Sequence, residues 1–292
     1  HCCSPGAPDN SDFKDPLTYS MKNKDYFKGK QVLVVGLARS GAASANLLYD
    51  LGVKVSVTDN QDNANTRRFL GQLKSKDIQV ELGKHSRDFV KGKDIIVISP
   101  GVPDQALPVV WAKQENIPII SEIELAWRLC PAQVIAVTGT NGKTTVTTLI
   151  GKVLAAAGKR AFTCGNIGRP FCSEVEKMRE GDFVALEVSS FQLEYINAFK
   201  PKICVLLNLS RNHLDRYKDV ADYLAAKKRI FQNQDAGDYA VLNYDDPAIR
   251  SLAREARSGV VYFRKEKGLN PNQSAVLSVA GILGINKELV MK

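Results

Sequence analysis

The sequence predicts an α/β protein, with an N-terminal Rossmann-like parallel-sheet domain followed by a P-loop ATPase-type α/β domain. Three observations predict it. Short β-branched runs that end in glycine or a small polar residue alternate with helical stretches along most of the chain. One such run leads into Gly139-Thr140-Asn141-Gly142-Lys143-Thr144-Thr145, a glycine-containing turn ahead of a helix. The helical pattern before that run stops at Cys130-Pro131, and the restriction on residues preceding proline makes a boundary there. At 292 residues the chain has the length of two domains of ordinary size.

Residues 1–20 are rich in Pro, Ser, Asp and Asn and carry no periodicity, so a leader with no role in the fold is expected there. Met21 opens the first domain, expected over residues 21–130. Val32 to Val35 reads as a strand because it is a β-branched run ending at Gly36. Ala42 to Leu51 reads as a helix, Val53 to Thr58 as a second strand ending at Asp59, and Ile95 to Ile98 as a strand ending at Ser99-Pro100-Gly101. Ile117 to Ile120 is a further strand and Glu122 to Leu129 a helix. The second domain, residues 131–292, repeats the alternation. Ile135 to Val137, Phe183 to Val188, Ile203 to Leu207 and Tyr239 to Leu242 read as strands, and Lys143 to Ala157 and Ala221 to Phe231 as helices. From Lys265 onward the signals are weak.

Hydrophobic residues make up 44% and charged residues 24%, an ordinary globular balance. No apolar run is long enough to span a bilayer, and the N-terminus lacks a basic-then-apolar signal, so a cytoplasmic protein with no membrane association is expected. The net charge of +9 is scattered through mixed-sign segments. That argues for an anionic small substrate and against nucleic acid. None of the six cysteines forms a paired CxxC knuckle, which points to free, largely buried thiols.

A phosphate site needs a strand, a turn that exposes N–H groups, and a helix whose N-terminus faces the anion. Val137 ends such a strand, Gly139 and Gly142 allow the turn, and the helix starts near Lys143. The Lys143 ammonium can reach outer phosphates, and the Thr144 hydroxyl is placed for Mg²⁺. Val137 occupies the place of the first glycine of the general P-loop, so the loop is a shorter variant. A glycine-rich turn without a ligand is the competing reading, but Gly-Lys-Thr-Thr at this position favours ATP. In the first domain, Gly36-Leu37-Ala38-Arg39-Ser40-Gly41 stands where a dinucleotide fingerprint would, with Ala38 in place of its second glycine. A dinucleotide cofactor is therefore poorly supported. A ligand at the carboxyl ends of these strands would still touch this loop, Asp59 and Ser99 to Gly101. Further on, Glu187 ends an apolar strand and offers the oxygen ligands that Mg²⁺ prefers. His213, one of three histidines, lies just beyond another strand end and is a candidate ligand. Lys227 sits in a helical stretch whose composition alone assigns it no role.

In order, the segments GLARSG, ISPGVP, EIELAW, TGTNGKTT, GNIG, EVSSFQLE, NHLDRY and YLAAKKRIF resemble the Mur ligase family over roughly Met21 to Asn243. These are ATP-dependent amide-forming enzymes of peptidoglycan precursor synthesis. SSFQLE and ISPGVP point to the branch that joins D-glutamate to UDP-N-acetylmuramoyl-L-alanine through an acyl phosphate. The resemblance implies that Lys143 holds the β- and γ-phosphates, with the loop from Gly139 to Thr145 around them. It implies that Thr144 and Glu187 bind one Mg²⁺, and that His213 and a carbamylated Lys227 belong to a second site. Asn166, Ser189 and Gln192 would meet the muramoyl and phosphate part of the substrate, and Ser40, Asp59, Ser99, Pro100 and Gly101 the UDP end. Lys143, His213 and Lys227 are the residues expected to carry catalysis, in a monomer.

Two departures stand out. Asn212 replaces the aspartate usual before the metal-site histidine, and the Gly-x-His-Asn segment that leads into the family's third, amino-acid-binding domain is not found. A chain lacking that domain is therefore expected. The alternatives are a sibling ligase acting on another UDP-muramoyl nucleotide and a nucleotide-binding fragment without turnover. A dinucleotide oxidoreductase rests only on the Rossmann pattern.

Overall fold

A computed structural model describes residues 24–166, 168–210 and 217–291 of the chain. The expected leader lies outside the described residues. The first half runs β1 (Gln31–Val35), α1 (Arg39–Asp50), β2 (Lys54–Asp59), α2 (Ala64–Leu70), β3 (Gln79–Leu82), α3 (Arg87–Val90), β4 (Ile95–Ile98), α4 (Leu107–Gln114) and β5 (Ile119–Ser121). Its five strands are all parallel, in the order β3-β2-β1-β4-β5. β1 and β4 are buried along nearly their whole length, because helices cover both faces of the sheet. The chain moves outward from β1 to β3 and then returns beside β1 as β4. The loops after β1 and β4 therefore diverge and leave a crevice at the carboxyl edge.

α5 (Glu122–Leu129) leads into the second half: β6 (Gln133–Thr138), α6 (Lys143–Ala156), β7 (Ala161–Gly165), β8 (Phe183–Glu187), α7 (Ser190–Glu194), β9 (Ile203–Leu206), α8 (Val220–Lys228), β10 (Tyr239–Asn243), α9 (Pro247–Ser251), β11 (Gly259–Phe263), α10 (Pro271–Ile282) and α11 (Lys287–Met291). Its six strands are also parallel, in the order β11-β10-β9-β6-β8-β7. β6 is central, so the loop it carries is flanked by the loops after β8 and β9. The weak signals after Lys265 conceal real structure. Asn270 caps α10 reciprocally with Gln273, and α10 buries Ala275, Val276, Val279 and Ala280 in the same core as Ile150 and Leu154 of α6. The strands β3, β7 and β11 are not legible in the sequence. All three lie toward or at sheet edges, where half-exposed positions blur the apolar run.

Two buried carboxylates on α5 join the halves. Glu124, 0% exposed, accepts the N–H groups of Asn197, Ala198 and Phe199 at 2.8–3.1 Å and the Arg128 Nε–H at 2.7 Å. Glu122 accepts the Cys172 N–H at 2.7 Å through Oε1, whereas its Oε2 is buried without a hydrogen-bond partner. Burial raises the Glu122 pKa to about 7, against the opposing pull of the Cys172 N–H. The folded-state value lies above the ordinary one. The stability this group contributes is therefore complete below its ordinary value of 4.5 and is lost as pH rises through about 7. Glu122→Gln removes that ionisation. Between pH 5 and pH 8 the variant should gain about 3 kcal/mol relative to the wild type in chemical unfolding. A constant difference across that range would exclude an ionising Glu122.

Candidate functional site

The phosphate loop is built by β6, whose last residue Thr138 delivers the chain between β8 and β9. Gly139 takes φ +152°, and a Cβ there would lie 2.9 Å from the Leu207 Cβ. Gly142 takes φ +83° at the N-cap of α6 and offers no side-chain cap, an arrangement that leaves the first-turn N–H groups of α6 able to receive an anion. The turn is clamped from the β9 side. Asn208 O accepts the Thr140 N–H at 2.9 Å, and Asn208 Oδ1 accepts the Asn141 N–H at 2.8 Å. Asn208 Nδ2 donates back to Asn141 O at 2.9 Å. Asn208 has no role in the sequence reading, and nothing local to it signals one. Lys143 Nζ folds over the turn and donates to Thr140 O at 2.8 Å, and Thr145 is exposed. Burial lowers the Lys143 pKa, with Glu187 opposing.

Thr144 and Glu187, 43 positions apart, meet here. Thr144 Oγ1 donates to Glu187 Oε2 at 2.8 Å, and Asn166 Nδ2 donates to Glu187 Oε1 at 3.0 Å. Gly165 makes this approach possible: it takes φ +111°, and a Cβ there would lie 2.3 Å from Glu187 O. Hard oxygen donors thus converge beside the phosphate loop, and this donor set fits a Mg²⁺ ion. Lys227 is drawn to the same place. α8 buries it to 1% exposure, where Nζ donates to Gly139 O at 3.0 Å and lies 4.5 Å from the Tyr223 ring centroid. Burial and the neighbouring Lys143 lower its pKa to about 7. His213 and Asn212 lie outside the described residues.

Ser189 and Gln192 form a capping box at the start of α7. Gln192 Oε1 accepts the Ser189 N–H at 3.0 Å, and Ser189 Oγ accepts the Gln192 N–H at 3.4 Å. Their clearest task is to start that helix, and the S-x-x-Q spacing announces it in the sequence.

The first cavity, of about 930 Å³, opens at the carboxyl edge of the first sheet, lined by Gly36, Ser40, Asp59, Ser99, Pro100 and Gly101 among others. The broken fingerprint keeps two of its glycine tasks. Gly36 turns at φ +92° under Ser99, and a Cβ on Gly41 would lie 1.9 Å from Gly36 O, so α1 packs closely on the loop. Ala38 is the N-cap of α1 and gives no side-chain cap. Asp59 accepts the Leu37 and Gln61 N–H groups at 2.6 and 2.8 Å, and Ser99 Oγ donates to Gly36 O at 2.9 Å. Both residues therefore shape the cavity wall from within. The structure adds Arg39, Lys84 and His85 to the lining, which the sequence reading did not single out. Arg39 Nη1 donates to Gly168 O at 2.6 Å, so the segment that brings Asn166 to Glu187 also touches the first cavity.

Of the described cysteines, Cys130, Cys164, Cys172 and Cys204 are free and buried, and burial raises all four thiols. Among the described residues no helix is long and apolar enough to cross a membrane.

Known proteins resemble this chain in both halves. The profile of the Mur ligase middle domain matches residues 137–279, and that of the Mur ligase MurD-like N-terminal domain matches residues 30–121. A UDP-N-acetylmuramoylalanine--D-glutamate ligase of Geotalea daltonii is 47% identical over 242 residues, 83% of this chain and 53% of that protein. The protein of the same name from Koribacter versatilis is 44% identical over 82% of this chain and 53% of its own length. The chain thus spans about half the length of these relatives. Among solved structures, UDP-N-acetylmuramate:L-alanyl-gamma-D-glutamyl-meso-diaminopimelate ligase from Neisseria meningitides superposes with a TM-score of 0.62 at 18% identity, covering 89% of this chain and 96% of that one. UDP-N-acetylmuramate-alanine ligase from Thermotoga maritima gives 0.55 at 21% identity, covering 89% and 67%. At these identities the two structures speak for the fold alone.

Proposed function

The chain belongs to the Mur ligase family, and from that membership we propose that it carries the nucleotide-sugar and ATP halves of an ATP-dependent ligase that adds D-glutamate to UDP-N-acetylmuramoyl-L-alanine. The observation that carries this reading is the placement of Glu187. Its carboxylate is bonded by Thr144 of the phosphate loop and by Asn166, two residues before the carbonyl that Arg39 of the first cavity holds. One short segment thus touches an ATP site and a site of nucleotide-sugar size.

In the proposed reaction a substrate carboxylate oxygen attacks the γ-phosphorus and ADP leaves. The D-glutamate amine then attacks the acyl carbon, loses a proton and expels phosphate. Both steps bring anions together, so they need cationic and N–H neutralisation. Lys143 and the N-terminus of α6 supply it for the phosphates. Thr144 and Glu187 would hold Mg²⁺, which when bound neutralises charge on the phosphate oxygens. Asn166 orients Glu187, and Ser189 and Gln192 place α7 at the substrate's muramoyl end. His213 is proposed for a second Mg²⁺ site with Lys227. An ammonium cannot ligate a cation, but the low pKa makes the neutral amine of Lys227 accessible near pH 7. That amine can add to CO₂, lose a proton and become an anionic carbamate. Ser40, Asp59, Ser99, Pro100 and Gly101 are proposed to surround the UDP end. A monomer in the cytoplasm is proposed.

Calorimetry with UDP-N-acetylmuramoyl-L-alanine, UDP-N-acetylmuramate and the UDP-muramoyl dipeptide tests the substrate. Selective binding of the first supports this branch, and preference for another moves the chain to a sibling. ADP release that requires both the L-alanyl nucleotide and D-glutamate marks a ligase. Binding without release marks a nucleotide-binding protein.

A further inference from the structure

The wall of the first cavity beside β2 and β3 contains a hydrogen-bond relay with no part in the roles assigned above. Thr58, 1% exposed, stands one residue before the end of β2, and its Oγ1 lies 2.8 Å from His85 Nδ1. The same hydroxyl lies 3.2 Å from Glu81 Oε2 and 3.4 Å from Lys84 O. Both of those neighbours are acceptors without a proton to give. Burial pulls the Glu81 carboxyl upward, but the bonds from Ser86 and Thr58 and the charge of Lys84 outweigh it and keep it ionised. If the single Thr58 proton goes to one of these oxygens, His85 Nδ1 is the donor in its contact with Thr58. The tautomer follows: Nδ1 carries the proton and Nε2 carries a lone pair. Burial lowers the His85 pKa against the pull of Asp59 and Glu81, so the ring is neutral at neutral pH.

Nδ1 is turned inward to a buried hydroxyl, and His85 lines the cavity, so the opposite edge of the ring is the one presented to a ligand. The topology fixes which part of a nucleotide would lie there. Arg39 and the uncapped N-terminus of α1 follow β1 at the switch point and suit a diphosphate. β2 and β3 lie on the side of β1 opposite β4, and there the base would rest.

We propose that His85 reads the base of the nucleotide substrate: its Nε2 accepts a hydrogen bond from the N3–H of uracil and disfavours cytosine, whose N3 is itself an acceptor. Thr58 and Glu81 are the positioning residues that fix the tautomer. The inference rests on the reading of this cavity as the nucleotide-sugar site. An acceptor facing an acceptor in a half-buried site loses the bond and leaves both groups unpaired, which corresponds to a difference on the order of tenfold to a hundredfold in affinity.

The test is calorimetry on the whole chain with UDP, CDP and N3-methyluridine 5′-diphosphate. UDP should bind at least about tenfold more tightly than CDP, and methylation of N3 should bring the uridine compound down to the CDP level. His85→Phe should weaken UDP to that same level and leave CDP unchanged. Thr58→Val should keep the fold, release the tautomer and shrink the UDP-to-CDP ratio with a smaller loss of UDP affinity. Equal binding of UDP and CDP by the wild type would overturn the role of His85 while leaving the cavity a nucleotide site. So would a wild-type ratio in His85→Phe. Failure of all three nucleotides to bind would overturn the reading of the cavity itself, and this inference with it.

Discussion

Lys143→Ala is expected to weaken Mg²⁺-ATP binding by roughly 100- to 1,000-fold, about 3–4 kcal/mol, without lowering thermal stability. The Lys143 ammonium is half-buried on the phosphate turn and is held at 2.8 Å by a neutral carbonyl, Thr140 O. Burial already disfavours its charged form. A phosphate would replace that neutral acceptor with an anion, in a place where water screens poorly. Alanine removes the charge but not the helix, because the position opens α6 and alanine is the best helix former. Calorimetry with Mg²⁺-ATP together with a thermal melt separates the two effects. Wild-type affinity in the variant would sink the phosphate-loop assignment, and lost affinity with a collapsed melting curve would show a misfolded protein.

Glu124→Ala should cost about 3–5 kcal/mol of stability, a drop in Tm on the order of 10 °C. The carboxylate is fully buried, and four donors converge on it: three successive N–H groups from residues 197–199 and the Arg128 guanidinium. Alanine leaves all four without an acceptor in a dry place, and it leaves the Arg128 charge without its partner. The receiving turn lies just after α7, so the loss also loosens the junction between the two halves. Glu124→Gln keeps one carbonyl oxygen at the same reach and should lose only part of that stability. A melting temperature within a degree or two of wild type for the alanine variant would show that these donors find water and that the junction is held elsewhere.

The phosphate loop was legible in the sequence because its parts are contiguous: strand, turn glycines, lysine and helix occupy about a dozen successive positions, and local geometry dictates each. Glu187 was legible as a carboxylate at a strand end and Asn166 only through the resemblance, and neither as one of a pair. Their meeting depends on β6, β7 and β8 lying in the order β6-β8-β7, which no local pattern encodes. Lys227 shows the limit most plainly. A lysine in a helix is by composition a solvated residue, and it is buried here because α8 packs Tyr223 and Ala226 on the same face against the loop. His85 was passed over because β3, four half-exposed residues at a sheet edge, leaves too faint a trace to mark the loop after it. Ser189 and Gln192 are the opposite case: their capping spacing is present in the sequence, and the structure uses it.

By itself, then, the sequence determined the alternation that makes two parallel sheets, the anion-binding turn at Gly139 to Thr144, and the membership that its ordered motifs announce. Hydrophobic period, glycine placement and proline boundaries act over a few residues, and such effects survive in one dimension. The tertiary structure alone decided which carboxylates lie dry at the junction, which lysine loses its water, and which histidine nitrogen meets a buried hydroxyl. Each of these is set by burial and by partners far along the chain, and desolvation is a property of the packed molecule that no short stretch of sequence possesses.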